Sequence, residues 1–324
     1  MLRDLVELVR APAALSVPGD VVAGAAAAGV LGARTLGLAC SSVCLYWAGM
    51  AANDWADRHL DAVERPERPI PSGRVRPGTA LGLAAGLTAA GIAIAGLTGG
   101  RRALGVAVPL AAAVWAYDLA AKNTPAGPAA MAVCRGLDVL LGATSGRAPG
   151  AGLSAGLPAA LTIAAHTYLL TDLSRGETTG TTGRRPATTL TGTLAVAATS
   201  AIPATSAPER RRAPSATPAI PAPERRRAIS AISAPERRRA TIAHEAVAQV
   251  ALAGWYAAQF GAPQARAVAD PSADTVRAAV TAGIVSLPAL QGALVARAGA
   301  PRTGLILAAT VPLARRLARK LSPT

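Results

Sequence analysis

Residues 36–61 read LGLACSSVCLYWAGMAANDWADRHLD. The first part is apolar enough to enter a bilayer, and the end carries Asn53, Asp54, Asp57 and Asp61. Carboxylates three and four residues apart fall on one face of a helix. Acids clustered where a membrane helix meets water are costly unless they bind something positive. The economical candidate is a divalent cation, and through it a phosphorylated substrate.

Working outward, the whole chain has the composition of a polytopic membrane protein. Of its 324 residues 51% are hydrophobic and 16% charged, against about 25% charged in ordinary soluble domains. Mean hydropathy is positive. A soluble alanine-rich helical protein is the alternative, but several apolar runs approach the ~20 residues that cross a bilayer. The formal net charge of +15 fits arginine-rich cytoplasmic loops. No aromatic-interleaved basic patch accompanies it, so no nucleic-acid partner is expected. Three cysteines give no disulfide framework, and Cys40, Cys44 and Cys134 are expected to be small packing residues.

Apolar helices are expected at 12–31, 36–54, 79–99, 102–121, 128–145 and 156–174, with a thinner one at 188–205. The pattern then breaks. Ala-Pro-Glu-Arg-Arg-Arg-Ala recurs from Ala207, Ala222 and Ala234, at a period too short and irregular for a packed repeat. Residues 206–240 are therefore expected to be a disordered low-complexity insertion between a membrane bundle (1–205) and its C-terminal helices (241–324). Those helices are expected at 243–262, 275–297 and 303–318, for eight to ten spans in all. Arg58, Arg65, Arg68, Arg74 and Arg76 follow the second span, and Arg175, Arg184 and Arg185 the sixth. This bias places the acidic site on the cytoplasmic side of the cell membrane.

The acid cluster suits magnesium. That ion wants oxygen donors and is usually held by one or two carboxylates plus substrate phosphates, whereas zinc would want His and Cys. Asn53 adds an amide one turn before Asp57, and His59 points to a different face. In the proline-stiffened segment 64–74, Arg65, Arg68 and Arg74 are candidates to clamp phosphate charge, with positive-inside anchoring as the alternative. Arg135 and Asp138 can pair within a span and line a polar cavity. Asp20 is either a cavity-facing group or a helix-packing contact.

The string Asn53-Asp54-x-x-Asp57-x-x-x-Asp61, followed by Arg68-Pro69-Ile70-Pro71-Ser72-Gly73-Arg74, resembles the first motif of the UbiA superfamily of intramembrane prenyltransferases. Arg10-Ala11-Pro12, Pro18-Gly19-Asp20 and Leu173-Ser174-Arg175-Gly176-Glu177 look closest to its EboC-like branch. The resemblance implies an all-α bundle of about nine transmembrane helices around a central cavity. Two acidic motifs would bind magnesium diphosphate, and the cavity would hold the prenyl tail. By position, Asp54 and Asp57 carry over as metal ligands, supported by Asp61 and Asn53. Lys122 resembles a family lysine near the diphosphate, and Arg135 is a further candidate for diphosphate contact. The second motif is thin. Only Asp172 and Glu177 remain as ligands, with His166 and Asp172 as candidate proton acceptors. Tyr46, Trp47, Trp115, Tyr117 and Tyr168 are candidates to stabilise an allylic cation or to anchor at the interface.

The function implied is magnesium-dependent transfer of a prenyl group from a prenyl diphosphate to an unidentified acceptor. Two alternatives stay open: a non-catalytic relative that binds lipid or serves as a scaffold, and a transporter. Convergence of His166, Asp172 and Glu177 on Asp54 and Asp57 across one cavity favours catalysis, whereas a salt-bridged second site favours the non-catalytic reading. The acceptor, the prenyl length and the oligomeric state are not written in the sequence.

Overall fold

A computed structural model describes residues 2–10, 16–146, 152–203 and 224–310, with side chains from residue 3 and, in the long ninth helix, from residue 246. Among these residues the secondary structure is all helical. In order come α1 (Leu2–Leu8), α2 (Pro18–Ala27), α3 (Ala33–Ala56), α4 (Arg58–Glu64), α5 (Pro77–Ala116), a π-helical turn (Tyr117–Ala121), α6 (Gly127–Ala143), α7 (Gly152–Ser174), α8 (Arg184–Ala201), α9 (Glu224–Ala269), α10 (Ala273–Arg297) and α11 (Pro301–Ala308). Proline opens α2, α5 and α11, where its missing N–H is one of the donors a helix leaves free anyway.

Most apolar runs of the sequence correspond to these helices; of the run expected at 12–31, residues 12–15 lie outside the described residues and the helix covers only Pro18–Ala27, shorter than a bilayer span. α5 consists of two helical arms that meet at Gly100, whose φ of 65° and ψ of −154° form a conformation that only glycine adopts cheaply. The chain reverses there. Trp115 Nε1 donates to Thr88 Oγ1 at 3.1 Å, whereas a straight helix would hold residues 27 apart roughly 40 Å from each other. The two arms match the spans expected at 79–99 and 102–121. Two short helices, α1 and α4, had no apolar run to announce them. Of the expected insertion, residues 204–223 lie outside the described residues, and 224–240 form the first part of α9. The last expected helix, 303–318, is described only as far as residue 310.

Helices α3, α5, α7 and α10 are long and apolar enough to cross a membrane. The bundle has two ends. At one end Arg175 Nη2 donates to Thr124 O, Thr181 N donates to Pro271 O at 3.0 Å and Arg277 Nη2 donates to Glu177 O at 3.1 Å. At the other, Thr35 Oγ1 donates to Ser145 Oγ at 3.4 Å and Gln249 Nε2 donates to Ser200 O at 2.7 Å. The acids of residues 54–61 belong to the first end.

Small residues let the backbones meet, as expected where lipid-like surroundings give helices no hydrophobic reason to associate. α2 and α6 cross so closely that a Cβ on Gly24 would lie 1.7 Å from Val139 O, and one on Gly142 1.9 Å from Val21 O. α10 is buried along most of its length. Its Val285, Leu287 and Leu290 join Tyr256 and Phe260 of α9 and Ile163 of α7 in the larger core. A second core joins α3, both arms of α5 and α6 through Leu38, Leu45, Val106 and Leu141.

Candidate active site at the mouth of a central cavity

α3 ends at Ala56 and α4 starts at Arg58, so Asp57 sits at the joint with Asp54 before it and Asp61 after it. Asp54 and Asp61 are buried, at 5% and 3% exposure. Arg10 Nη2 donates to Asp54 Oδ1 at 3.0 Å. Arg68 Nη1 lies 2.6 Å from Asp61 Oδ2 and 3.6 Å from Asp54 Oδ1, so one guanidinium nitrogen serves both carboxylates. Lys122 Nζ lies 2.6 Å from Asp57 Oδ1. Asn53 Nδ2 donates to Asp118 Oδ1 at 3.3 Å. Four acids and three cations from four stretches of chain thus share one site.

The π-helical turn makes the last part of this arrangement. Lys122 N donates to Tyr117 O, five residues back, at 3.0 Å. The widened turn presents both Asp118 and Lys122 to the end of α3. Asp118 and Arg10 were missed as site residues by sequence reasoning. Asp118 carried a signal, an acid at the end of an apolar run. Arg10 lies 44 residues from Asp54, and no spacing could connect them.

Asp118 also lines a cavity of about 220 Å³ that runs into the bundle. Ser42, Leu45 and Tyr46 of α3, Leu110 and Val114 of α5, Cys134, Arg135 and Asp138 of α6, His166 and Leu170 of α7, and Leu287 of α10 form its wall. Tyr46 and Tyr117 therefore face the cavity, whereas Trp115 is held by Thr88.

Other expected residues lie elsewhere. Arg74 grips α1, with Nη1 3.0 Å from Asp4 Oδ1 and 2.8 Å from Glu7 Oε2. Its hydrogen bond holds the Glu7 carboxyl below the ordinary glutamate range. Arg135 does not pair with Asp138. Its Nε meets Asp20 Oδ2 of α2 at 2.8 Å, while Ser42 Oγ donates to Asp138 Oδ2 at 2.7 Å. Asp172 does not pair with Arg175 either. Its Oδ2 lies 3.5 Å from Arg185 Nε, in an open cleft formed with the 179–185 loop. Burial raises the Glu177 carboxyl above its ordinary range, and the guanidiniums of Arg277 and Arg65 oppose that rise. His59 is exposed. His166 is fully buried, with Nδ1 2.9 Å from Tyr256 Oη. Of the three candidates His166, Asp172 and Glu177, only His166 is among the residues that line the cavity.

Among the described residues no group of three or more His, Cys, Asp and Glu converges as a metal cage. The oxygen donors still suit magnesium, which is held by one or two carboxylates when substrate phosphates supply the rest. Asp54 and Asp61, turned toward one nitrogen of Arg68, offer such a pair.

An all-α membrane bundle whose apolar cavity opens beneath acids and cations is the class that fold and site define. The chain belongs to the UbiA prenyltransferase family, whose pattern matches residues 15–206, more than half of the sequence. It is 36% identical over 154 residues to digeranylgeranylglyceryl phosphate synthase of Methanopyrus kandleri, covering 46% of this chain and 55% of that one. It is 35% identical over 128 residues to the bacteriochlorophyll synthase 33 kDa chain of Cereibacter sphaeroides, covering 38% and 40%. The chain thus spans about half the length, or less, of these curated relatives. A solved structure from work on digeranylgeranylglyceryl phosphate synthase in membranes shares the fold, with a TM-score of 0.57 at 15% identity over 92% of this chain and 98% of that one.

Proposed function

We propose that the protein transfers a prenyl group from a prenyl diphosphate to a lipid-accessible acceptor, with magnesium bound alongside the diphosphate. The observation that carries this reading is Asp118, which bonds Asn53 in the acid group and also lines the apolar cavity. A charged head and a prenyl tail would be held by adjoining surfaces.

Arg10, Arg68 and Lys122 pair with Asp54, Asp61 and Asp57. When donor binds, these cations turn from carboxylate to diphosphate oxygens and hold the leaving group. Magnesium, held by Asp54 with Asp57 or Asp61, would neutralise charge that builds on the departing diphosphate. Leu45, Val114 and Leu170 exclude water from the allylic carbon as its bond to oxygen loosens. Tyr46 and Tyr117 offer ring faces to the developing cation. His166, held by Tyr256, is the candidate to take the acceptor proton. The acid end is proposed to face the cytoplasm, because Arg58, Arg65, Arg68, Arg74, Arg76, Lys122, Arg175, Arg184 and Arg185 surround it. Placement in the EboC-like branch rests on the motif residues alone.

The test is turnover of labelled prenyl diphosphates of several lengths in membranes, with and without magnesium. Asp54→Ala and Asp57→Ala are expected to lower it roughly a hundredfold or more. Unchanged turnover in both variants would refute the assigned ligands.

One observation favours a second reading. Asp172 is paired with Arg185 in a cleft apart from the cavity, as expected of a non-catalytic lipid-binding relative. Specific binding of donor without turnover by the intact chain would select that reading.

A further inference from the structure

Helices α8 and α9 pack antiparallel, and their contacts fix the register. Gln249 Nε2 donates to Ser200 O. A Cβ on Gly261 would touch Leu190, and one on Gly183 would lie 3.1 Å from Val268 O. Tyr256 then stands level with Thr193, and Gln264 level with Pro186. The seam between the helices is polar although the core beside it is not: Thr189, Thr193, Tyr256 and Gln264 are all buried. Its inner end is His166, which lines the cavity and has Nδ1 2.9 Å from Tyr256 Oη. Thr193 stands beside Tyr256. Thr189 follows one turn, roughly 6 Å, nearer the mouth end, with Oγ1 donating to Pro186 O at 3.1 Å. The outer end is the open cleft of Asp172, where Arg185 and Thr188 of α8 form the wall.

Several atoms along this line have no hydrogen-bond partner among the described residues: His166 Nε2, Thr193 Oγ1, and both Nε2 and Oε1 of Gln264. A fully buried amide with neither atom met is costly, and polar sites of this kind are where buried water sits. The proposed reaction has a use for such a line. Prenyl transfer breaks the donor's carbon–oxygen bond, and its electron pair leaves on the diphosphate. The new bond to carbon displaces a proton from the acceptor. On His166 that proton makes a fully buried imidazolium, and an unpaired charge there is expensive. The mouth is a poor exit, because Arg10, Arg68 and Lys122 oppose a further positive charge.

We infer that Tyr256, Thr193 and Gln264 conduct this proton out of the cavity, along the seam between α8 and α9, to the Asp172 cleft. This rests on the prenyltransferase reading. In the tautomer with Nδ1 protonated, His166 donates to Tyr256 Oη and keeps Nε2 free to accept. The acceptor's proton joins Nε2 as the Nδ1 proton passes to Tyr256 Oη. The phenolic proton passes to Thr193 Oγ1, and the threonine proton to water bonded by Gln264. In the cleft the Asp172 carboxylate accepts a proton from that water and yields it to solvent. Tyr and Thr hydroxyls both donate and accept, so each transfer makes one O–H bond and breaks one. Rotation of the hydroxyls and reorientation of the His166 ring reset the line.

The experiment measures turnover of labelled farnesyl and geranylgeranyl diphosphate with magnesium, in membranes that hold the full chain, up to saturating donor. The variants are Thr193→Val, Thr193→Ser and Gln264→Leu, none of them in the cavity wall or the mouth. Thr193→Val and Gln264→Leu are each expected to lower saturated turnover about tenfold, less than the loss of a proton acceptor itself, with the donor's KM unchanged. Both are expected to be slowed more by deuterated water than the unaltered chain is, because proton movement has become limiting. Thr193→Ser keeps the hydroxyl and is expected to match the unaltered chain. Leu at 264 brings no polar atom to satisfy, so the thermal-unfolding midpoint in detergent is expected to hold or rise while turnover falls. Should one variant fail to fold, the other decides by the same criteria. Unchanged turnover, a loss shared by Thr193→Ser, a loss that tracks a lowered midpoint or a raised KM, or an unchanged solvent isotope effect would each overturn the relay and leave the prenyltransferase reading. An unaltered chain that turns over neither donor removes that reading, and the relay with it.

Discussion

At the scale of single residues, the mouth is a set of exchanges between neighbours in space. Asp54, Asp57 and Asp61 were legible because a three- and four-residue spacing is a geometric statement about a helix. Their partners were not, because Arg10, Lys122 and Asp118 arrive from other helices. Arg74 shows the reverse error. It stands within the family-like string, yet its guanidinium belongs to Asp4 and Glu7 of α1. This clasp depends on pH. Glu7 titrates below its ordinary value of 4.5 because Arg74 bonds its ionised form. A depressed folded-state value stabilises the docked helix above the ordinary value, and the contribution disappears as pH falls through the folded one. Amide exchange in α1 is therefore expected to be slow at pH 7 and to quicken, after correction for intrinsic rates, as pH falls below the ordinary glutamate value. Arg74→Ala should quicken it at pH 7 and remove most of this pH dependence. High salt should weaken the clasp as well, because its partners are largely exposed.

At the scale of elements, apolar runs announced the long helices. What they could not announce were α1 and α4, too short for a hydropathy signal, and the pairing of Arg135 with Asp20 instead of Asp138. That pairing depends on how close α2 comes to α6. Gly24 and Gly142 set the distance, each against a carbonyl of the opposite helix. Gly142→Ala is expected to force the helices apart and to cost about 1–3 kcal/mol, the range for overpacked cores. The check is a thermal-unfolding midpoint in detergent. A variant with an unchanged midpoint would show that the crossing is looser than described.

At the scale of the molecule, the family pattern stops at residue 206, but the bundle does not. α9 and α10 bring Tyr256, Phe260, Leu287 and Leu290 into the larger core, and Gln291 completes the polar set on Asp20. A chain ending at residue 206 would present that core to lipid and leave Asp20 without one of its donors. It is expected to be degraded or to aggregate on extraction, and co-expression of residues 241–324 as a separate chain should restore a monodisperse product. Recovery of the short chain alone, folded by size-exclusion chromatography and circular dichroism, would contradict this. The dependence was invisible in the sequence, because the arginine repeats hide the continuity between residues before and after them.

The widened turn between Tyr117 and Lys122 sets a rotational register. A regular helix there would need one residue fewer. Deleting Leu119 would let the turn close as a regular α-turn and leave the following amine in nearly the same direction, because the widened turn absorbs one extra residue. Inserting an alanine after Leu119 would instead swing that amine by about 100°, the angle per residue in an α-helix, and Asp57 would lose its counter-charge although neither member of the pair had been altered. Family members that have gained a single position in this turn should thus differ in how they hold the donor, and the turn's length would reveal it before any side chain was compared.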